Sequence, residues 1–217
     1  MKRNQSGFTL IEIAIVLVII GLLLGGVLKG QELINSARVK NLSADFKNIP
    51  VFIYGYQDKF KALPGDDLTA ASHVGATATN GNGNGIINGM WDSVTATDES
   101  VIFWQHVRLA GLAPGETTVN LTTYLPTNAV GGRIGITNAT ATNLPITGLR
   151  GSYIICSRSI LGKFARQMDT TLDDGNTTTG SVMVMADQTA PGAVPVAAVA
   201  ATAANFDDTP YTVCMGF

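Results

Sequence analysis

The pattern of apolar and polar positions divides the chain into three regimes. From Phe8 to Leu28 the chain is apolar for twenty-one residues, with Glu12 the only charge. As a helix such a run measures about 30 Å, the thickness of a bilayer's hydrocarbon core. Past Gly30 the run becomes a stripe: Val39, Leu42, Phe46, Ile49, Ile53, Tyr56 and Phe60 follow at steps of three and four. That spacing predicts a long helix with one greasy face, and with Lys40, Asp45, Lys47 and Asp58 on the other. Pro50 interrupts the stripe and is expected to kink the helix, and Pro64-Gly65 supplies its stop.

Beyond residue 64 the periods shorten. Glu99 to Leu112 reads as a short amphipathic helix, with Ile102, Phe103, Val107 and Leu109 apolar and Gly111 near its end. The segments "SYIICS" (152–157), "GSVMVMA" (180–186) and "YTVCMGF" (211–217) read as strands. Between the first two, "ILGKFARQMD" (160–169) predicts a second short helix. Ala186 to Asn205 has no usable period and reads as an irregular exposed loop. Strands that follow a long helix, rather than alternating with helices, indicate an α+β fold.

Composition narrows the function. Charged residues make up 14% of the chain and the net charge is −2, so no nucleic-acid footprint is present. The region after the apolar run is rich in Gly, Thr, Asn and Ala, which suits an exposed extracytoplasmic surface. The two cysteines, Cys156 and Cys214, have no metal-ligand or CxxC spacing. Outside the cytoplasm they are expected to pair, closing a loop worth about 4 kcal/mol. Two buried free thiols are the alternative.

Catalytic motifs are not evident. His73 and His106 stand apart, with no HExxH, no GxSxG and no Walker lysine. "GNGNG" does not fit GxGxxG, and "LDDG" at 172–175 reads as a turn with Gly175 left-handed. Asn80, Asn82, Asn84 and Gly85 match the first half of a calcium-binding EF-hand loop, but its twelfth position is Trp91 rather than glutamate. The three asparagines are therefore a calcium candidate only with acids from elsewhere, such as Asp66, Asp67 or Asp92, and a plain Asn/Gly turn is the competing reading.

Glu12 needs a reason, because a carboxylate inside a bilayer span costs about 2.5–3.5 kcal/mol on insertion scales. "GFTLIEIAIVLVIIGLLLGG" (7–26), preceded by Lys2 and Arg3, resembles the class III signal of type IV prepilins and type II secretion pseudopilins. The resemblance rests on the short basic leader, Gly7, Phe8, and Glu12 at the fifth place after the glycine. It implies cleavage by prepilin peptidase between Gly7 and Phe8 and N-methylation of Phe8. The new Phe8 amine would then be a cation near Glu12, in the same subunit or a neighbour's. Many type IV pilins have a proline where this chain has Lys29; the glycines at 21, 25, 26 and 30 imply a helix able to melt there.

"LPGDD" (63–67), "GNGNGIING" (81–89), "ESVIFWQHVRLAGL" (99–112) and "LDDGNTTTGSV" (172–182) are also similar to segments of bacterial prepilin-type proteins. The resemblance implies a leader at 1–7, a transmembrane and polymerisation helix at 8–30, its amphipathic continuation at 31–63 and a globular domain at 64–217. The implied shape is a ladle, a long hydrophobic stalk helix packed on a domain with an antiparallel β-sheet. The expected role is structural, not enzymatic: a pilin or minor pilin of a type IV pilus, or alternatively a type II secretion pseudopilin. A tethered binding protein or enzyme is the remaining class. The implied partners are pilin-like subunits in a homo- or heteropolymer, prepilin peptidase, the inner-membrane assembly platform and the membrane itself. The basic leader implies a cytoplasmic N-terminus and an inner-membrane store, with the filament periplasmic or extracellular.

Overall fold

The structure is a computed structural model that describes residues 9–121, 124–140, 143–188 and 196–217. The chain divides into two compact units, Met1–Ala37 and Arg38–Phe217. Helix α1, Leu10–Phe60, begins in the first and ends in the second. Gly21, Gly25, Gly26 and Gly30 are all helical within it. Pro50 also lies inside α1, which continues ten residues past it. A proline leaves one backbone carbonyl, that of the residue four back, without its helical partner. Phe46 and Ile49 before it and Ile53 after it are buried in the core, and that packing offsets the lost bond. The helix stops at Phe60, where Lys61 turns left-handed at φ 55° and its N–H still reaches the Gln57 carbonyl at 2.8 Å.

In the second unit, Val39, Leu42, Phe46, Ile49, Ile53 and Tyr56 are all buried, as their spacing predicts, while Phe60 is half-exposed. The five from Val39 to Ile53 share a core with a four-stranded sheet of β1 (Ile134–Asn138), β2 (Tyr153–Leu161), β3 (Val182–Ala186) and β4 (Pro210–Gly216). The order is β1-β2-β4-β3 and every neighbouring pair is antiparallel. Helix α2, Ala70–His73, is a single turn, and α3, Glu99–Leu109, packs beside β1. Helix α4, Gly162–Leu172, carries the chain from β2 to β3, leaving between them a lane that β4 fills. The architecture is α+β and pilin-like: a long apolar helix followed by an antiparallel sheet domain.

Both faces of the sheet are covered. Ile136, Ile155, Val182, Val184 and Val213 share a cluster with α1, α3 and α4. Alternate positions point the other way, so Cys156, Met183, Met185 and Cys214 pack with Trp91, Ile146 and Leu149. In β2 the alternation is reset between Ser157 and Ile160, where an extra residue bulges against β4 and Ser159 takes φ 62°. Ile160 thereby returns to the helix-facing side. Gly135 in β1 is glycine for a spatial reason: a Cβ there would collide with the Trp91 carbonyl.

Strand β1 has no counterpart among the sequence expectations. The loop expected at 186–205 is irregular over its described part, with one parallel bridge from Val196 to Ile146; the rest lies outside the described residues. Helix α3 is a correction in kind. Its residues from Glu99 to Arg108 are buried on every side, so it is a core helix rather than an amphipathic one.

Candidate functional site

The N-terminal apolar run is built as one helix whose start is capped by its own sequence. Thr9 precedes the first helical residue, and Glu12 lies three residues on, the pattern of a capping box. The Glu12 Oε2 accepts the Thr9 N–H at 2.8 Å and its hydroxyl at 2.7 Å, while the Glu12 N–H donates to Thr9 Oγ1 at 3.3 Å. One carboxylate thus satisfies a backbone donor that the helix leaves open and places negative charge at the positive end of the helix dipole. The T-x-x-E signature stands in the sequence at 9–12 and was legible there. Gly7 and Phe8, the expected cleavage and methylation positions, lie outside the described residues.

The side chains that follow are displayed rather than packed: Leu10 is 92% exposed, Leu22 74% and Leu28 66%. None of the helix's most apolar eighteen-residue stretch is buried within the chain, and the helix is long and apolar enough to cross a membrane. A continuous apolar surface of this extent calls for lipid or other helices as its surroundings.

In the second unit the chemically versatile side chains converge on one polar lattice, and each is spent on holding backbone. The Asp66 carboxylate accepts the N–H groups of Asn84 and Gly85 at 2.9 and 2.7 Å. Asp67 accepts the Tyr56 hydroxyl at 2.8 Å and the Thr69 N–H at 2.9 Å, and faces His73 Nδ1 at 2.7 Å. Burial pushes the Asp67 carboxyl up, but His73, Tyr56 and the Thr69 amide together draw it below the usual carboxylate value. From α3, Glu99 accepts the amides of Asn82 and Asn88, each at 2.9 Å. His106 accepts the Gly65 N–H on Nδ1 at 2.9 Å and donates from Nε2 to the Thr79 carbonyl at 2.7 Å, which sets a neutral ring. Burial holds its pKa below the ordinary histidine value. Segments 63–67, 81–89 and 99–112 therefore form one contact in space.

The calcium candidates sit inside this lattice. Asn80 Oδ1 accepts the Ala71 N–H at 2.9 Å, Asn82 Oδ1 that of Asn84 at 3.0 Å, and Asn84 Oδ1 that of Ile86 at 2.9 Å. The last two are turn-forming bonds, the first ties the segment back to Ala71, and all three asparagine carbonyls are directed at amides. A Cβ on Gly81 would strike the backbone of Gly65 and Asp66, so the turn lies flat on the "LPGDD" segment.

A cleft of about 220 Å³ opens between α1 and α3, lined by Asp45, Phe52, Trp104, Arg108 and Pro126. Burial pushes the Asp45 carboxyl up to about 6. The Arg108 guanidinium is directed away into the carbonyls of Pro114, Glu116 and Tyr124 at 2.7–3.1 Å. Finally, Cys156 and Cys214 are joined as a disulfide between directly paired positions of β2 and β4.

Comparison with known proteins adds one match. Residues 2–28 fit a family model described as the prokaryotic N-terminal methylation motif. No curated protein and no solved structure matches the chain. The matched span covers the basic residues, Gly7, Phe8, the capped Glu12 and the exposed apolar face; this motif is the class III signal peptide of type IV prepilins and pseudopilins, and it supports a protein of that general kind.

Proposed function

We propose that this protein is a structural subunit of a type IV pilus-like filament. It is stored in the inner membrane through its N-terminal helix, cut by prepilin peptidase after Gly7, methylated on Phe8 and polymerised helix against helix. The observation that supports this most directly is the methylation motif at 2–28, whose described helical part, 10–28, has its apolar side chains exposed. Cleavage leaves an amine on Phe8 that is cationic at neutral pH, four residues before Glu12. In a bundle of such helices the Glu12 carboxylate neutralises the amine of a neighbouring subunit. A slipped register would leave both charges uncompensated in an apolar surround. The pairing thus favours one register over its neighbours.

Intact mass of the membrane-extracted protein tests the processing. The expected product lacks Met1–Gly7 and carries one methyl group, and a start beyond Gly25 would refute the reading. The same motif serves the short periplasmic pseudopilus of type II secretion. Sheared surface fractions from wild-type and deletion strains separate the two. Surface filaments that contain the mature protein support a pilus subunit. Mature protein confined to the cell envelope, with loss of a secreted protein on deletion, supports a pseudopilin.

A further inference from the structure

Helix α4 ends in an electrostatic conflict. Asp169 lies in its last turn and Asp173 and Asp174 follow directly, so three carboxylates gather at the negative end of the helix dipole. The last turn contains no basic residue. Arg166, one turn back, is committed to Asp207 at 2.9 Å. Among the described residues no ion pair involves Asp169, Asp173 or Asp174.

The second observation is Asp169 itself. It is 0% exposed, and neither of its carboxylate oxygens has a hydrogen-bond partner. A buried carboxylate without donors is expensive, and an ionised one more so. Its neighbours differ in this respect. Asp173 Oδ2 accepts the N–H groups of Ser181 and Val182 at 2.6 and 2.9 Å. Asp174 accepts the Asn176 N–H at 2.8 Å and the Thr179 hydroxyl at 3.0 Å. The turn that follows the helix therefore holds both in place beside Asp169, and one oxygen from each of the three lies within 4.8 Å of the others.

We propose that Asp169, Asp173 and Asp174 form a binding site for a hard divalent cation, calcium by its geometry. Calcium–oxygen distances of about 2.3–2.6 Å allow a single ion to touch oxygens spread this far apart. Three carboxylates with no nitrogen or sulfur donor select a hard ion over zinc or copper. The graded exposure gives the ion a way in: Asp174 is exposed, Asp173 half-buried and Asp169 closed. The bound ion supplies Asp169 with the partner that the protein does not, and it fixes the end of α4 to the turn leading into β3. This site is separate from the asparagine turn at 80–84 and does not depend on how the filament assembles.

The test uses the full chain in detergent, stripped with EDTA and titrated with CaCl2, MgCl2 and KCl while binding heat and melting temperature are followed. Wild type is expected to bind one calcium with Kd of about 10⁻⁴–10⁻³ M and to melt higher when loaded. Asp174→Asn, on the exposed side, should weaken binding at least about tenfold. Asp169→Asn should abolish the calcium response and, without calcium, melt above wild type, because the repulsion is gone. Wild type that takes up no calcium at 10-fold above the weaker end of that range overturns the site. Unchanged uptake by Asp174→Asn also overturns it, by placing the ion elsewhere.

Discussion

Glu12 shows how one side chain serves two purposes that different substitutions can separate. Its carboxylate closes the capping box with Thr9, and its charge is the one proposed to meet a neighbour's Phe8 amine. Glutamine also serves at this place in a capping box but carries no charge. Glu12→Gln is therefore expected to keep the helix start intact and still fail to enter sheared filaments. Glu12→Ala should lose both, with about 0.5–2 kcal/mol of local helix stability going with the cap. Filament incorporation of the Gln variant at wild-type levels would reduce Glu12 to a cap. His106 makes a second residue-scale prediction, this one in pH. Its folded pKa lies below the ordinary value near 6.5, so its neutral contacts contribute fully above about 6.5. As pH falls through 6.5 toward the depressed value, the unfolded chain takes up the proton first and this stability is lost. Urea midpoints of the full chain should carry a downward step from this residue between pH 7.5 and 5.5, opposed by Asp45, whose carboxyl burial raises to about 6 and whose protonation adds stability as pH falls. His106→Leu should flatten that step while costing about 1–3 kcal/mol, because the Gly65 amide and Thr79 carbonyl lose their partner.

Among elements, α1 was the most legible, because a period of three and four survives whatever the helix packs against. Phe46 and Tyr54 test that reading on one helix. Phe46→Ala should cost about 3–5 kcal/mol in urea unfolding, whereas Tyr54→Ala, at a residue 59% exposed, should change stability by no more than about 0.5 kcal/mol. Strand β1 was illegible for a definite reason. In "IGITN" the position facing the second layer is Gly135, whose value is the absence of a side chain against the Trp91 carbonyl. Helix α3 misled for the opposite reason. Glu99, Gln105, His106 and Arg108 look like a solvent face to a pattern of polarity, yet they are buried because loop amides and carbonyls are their solvent. Of the candidate site, the T-x-x-E cap was present as local spacing. The crowding of Asp169 was not, because it depends on what the fold fails to place nearby.

At the scale of the molecule, the disulfide joins residues 58 apart in sequence and paired across the sheet. Replacing both cysteines by alanine should cost about 4 kcal/mol, read as a shift of the urea midpoint that reductant reproduces in the wild type. The sheet order adds a consequence of timing. β4 lies between β2 and β3 but follows both in the chain. Under the proposed export, a domain delivered across the membrane in sequence order, its N-terminus staying in the cytoplasm, would present two strands with an unpaired lane between them, held by α4 alone. Their facing edges stay open to stray pairing until the final strand arrives. Cys156 likewise waits for the residue that will lock it. If the domain is exported as proposed, oxidation would act as a receipt for complete delivery, since only a chain delivered through Cys214 can be bolted shut.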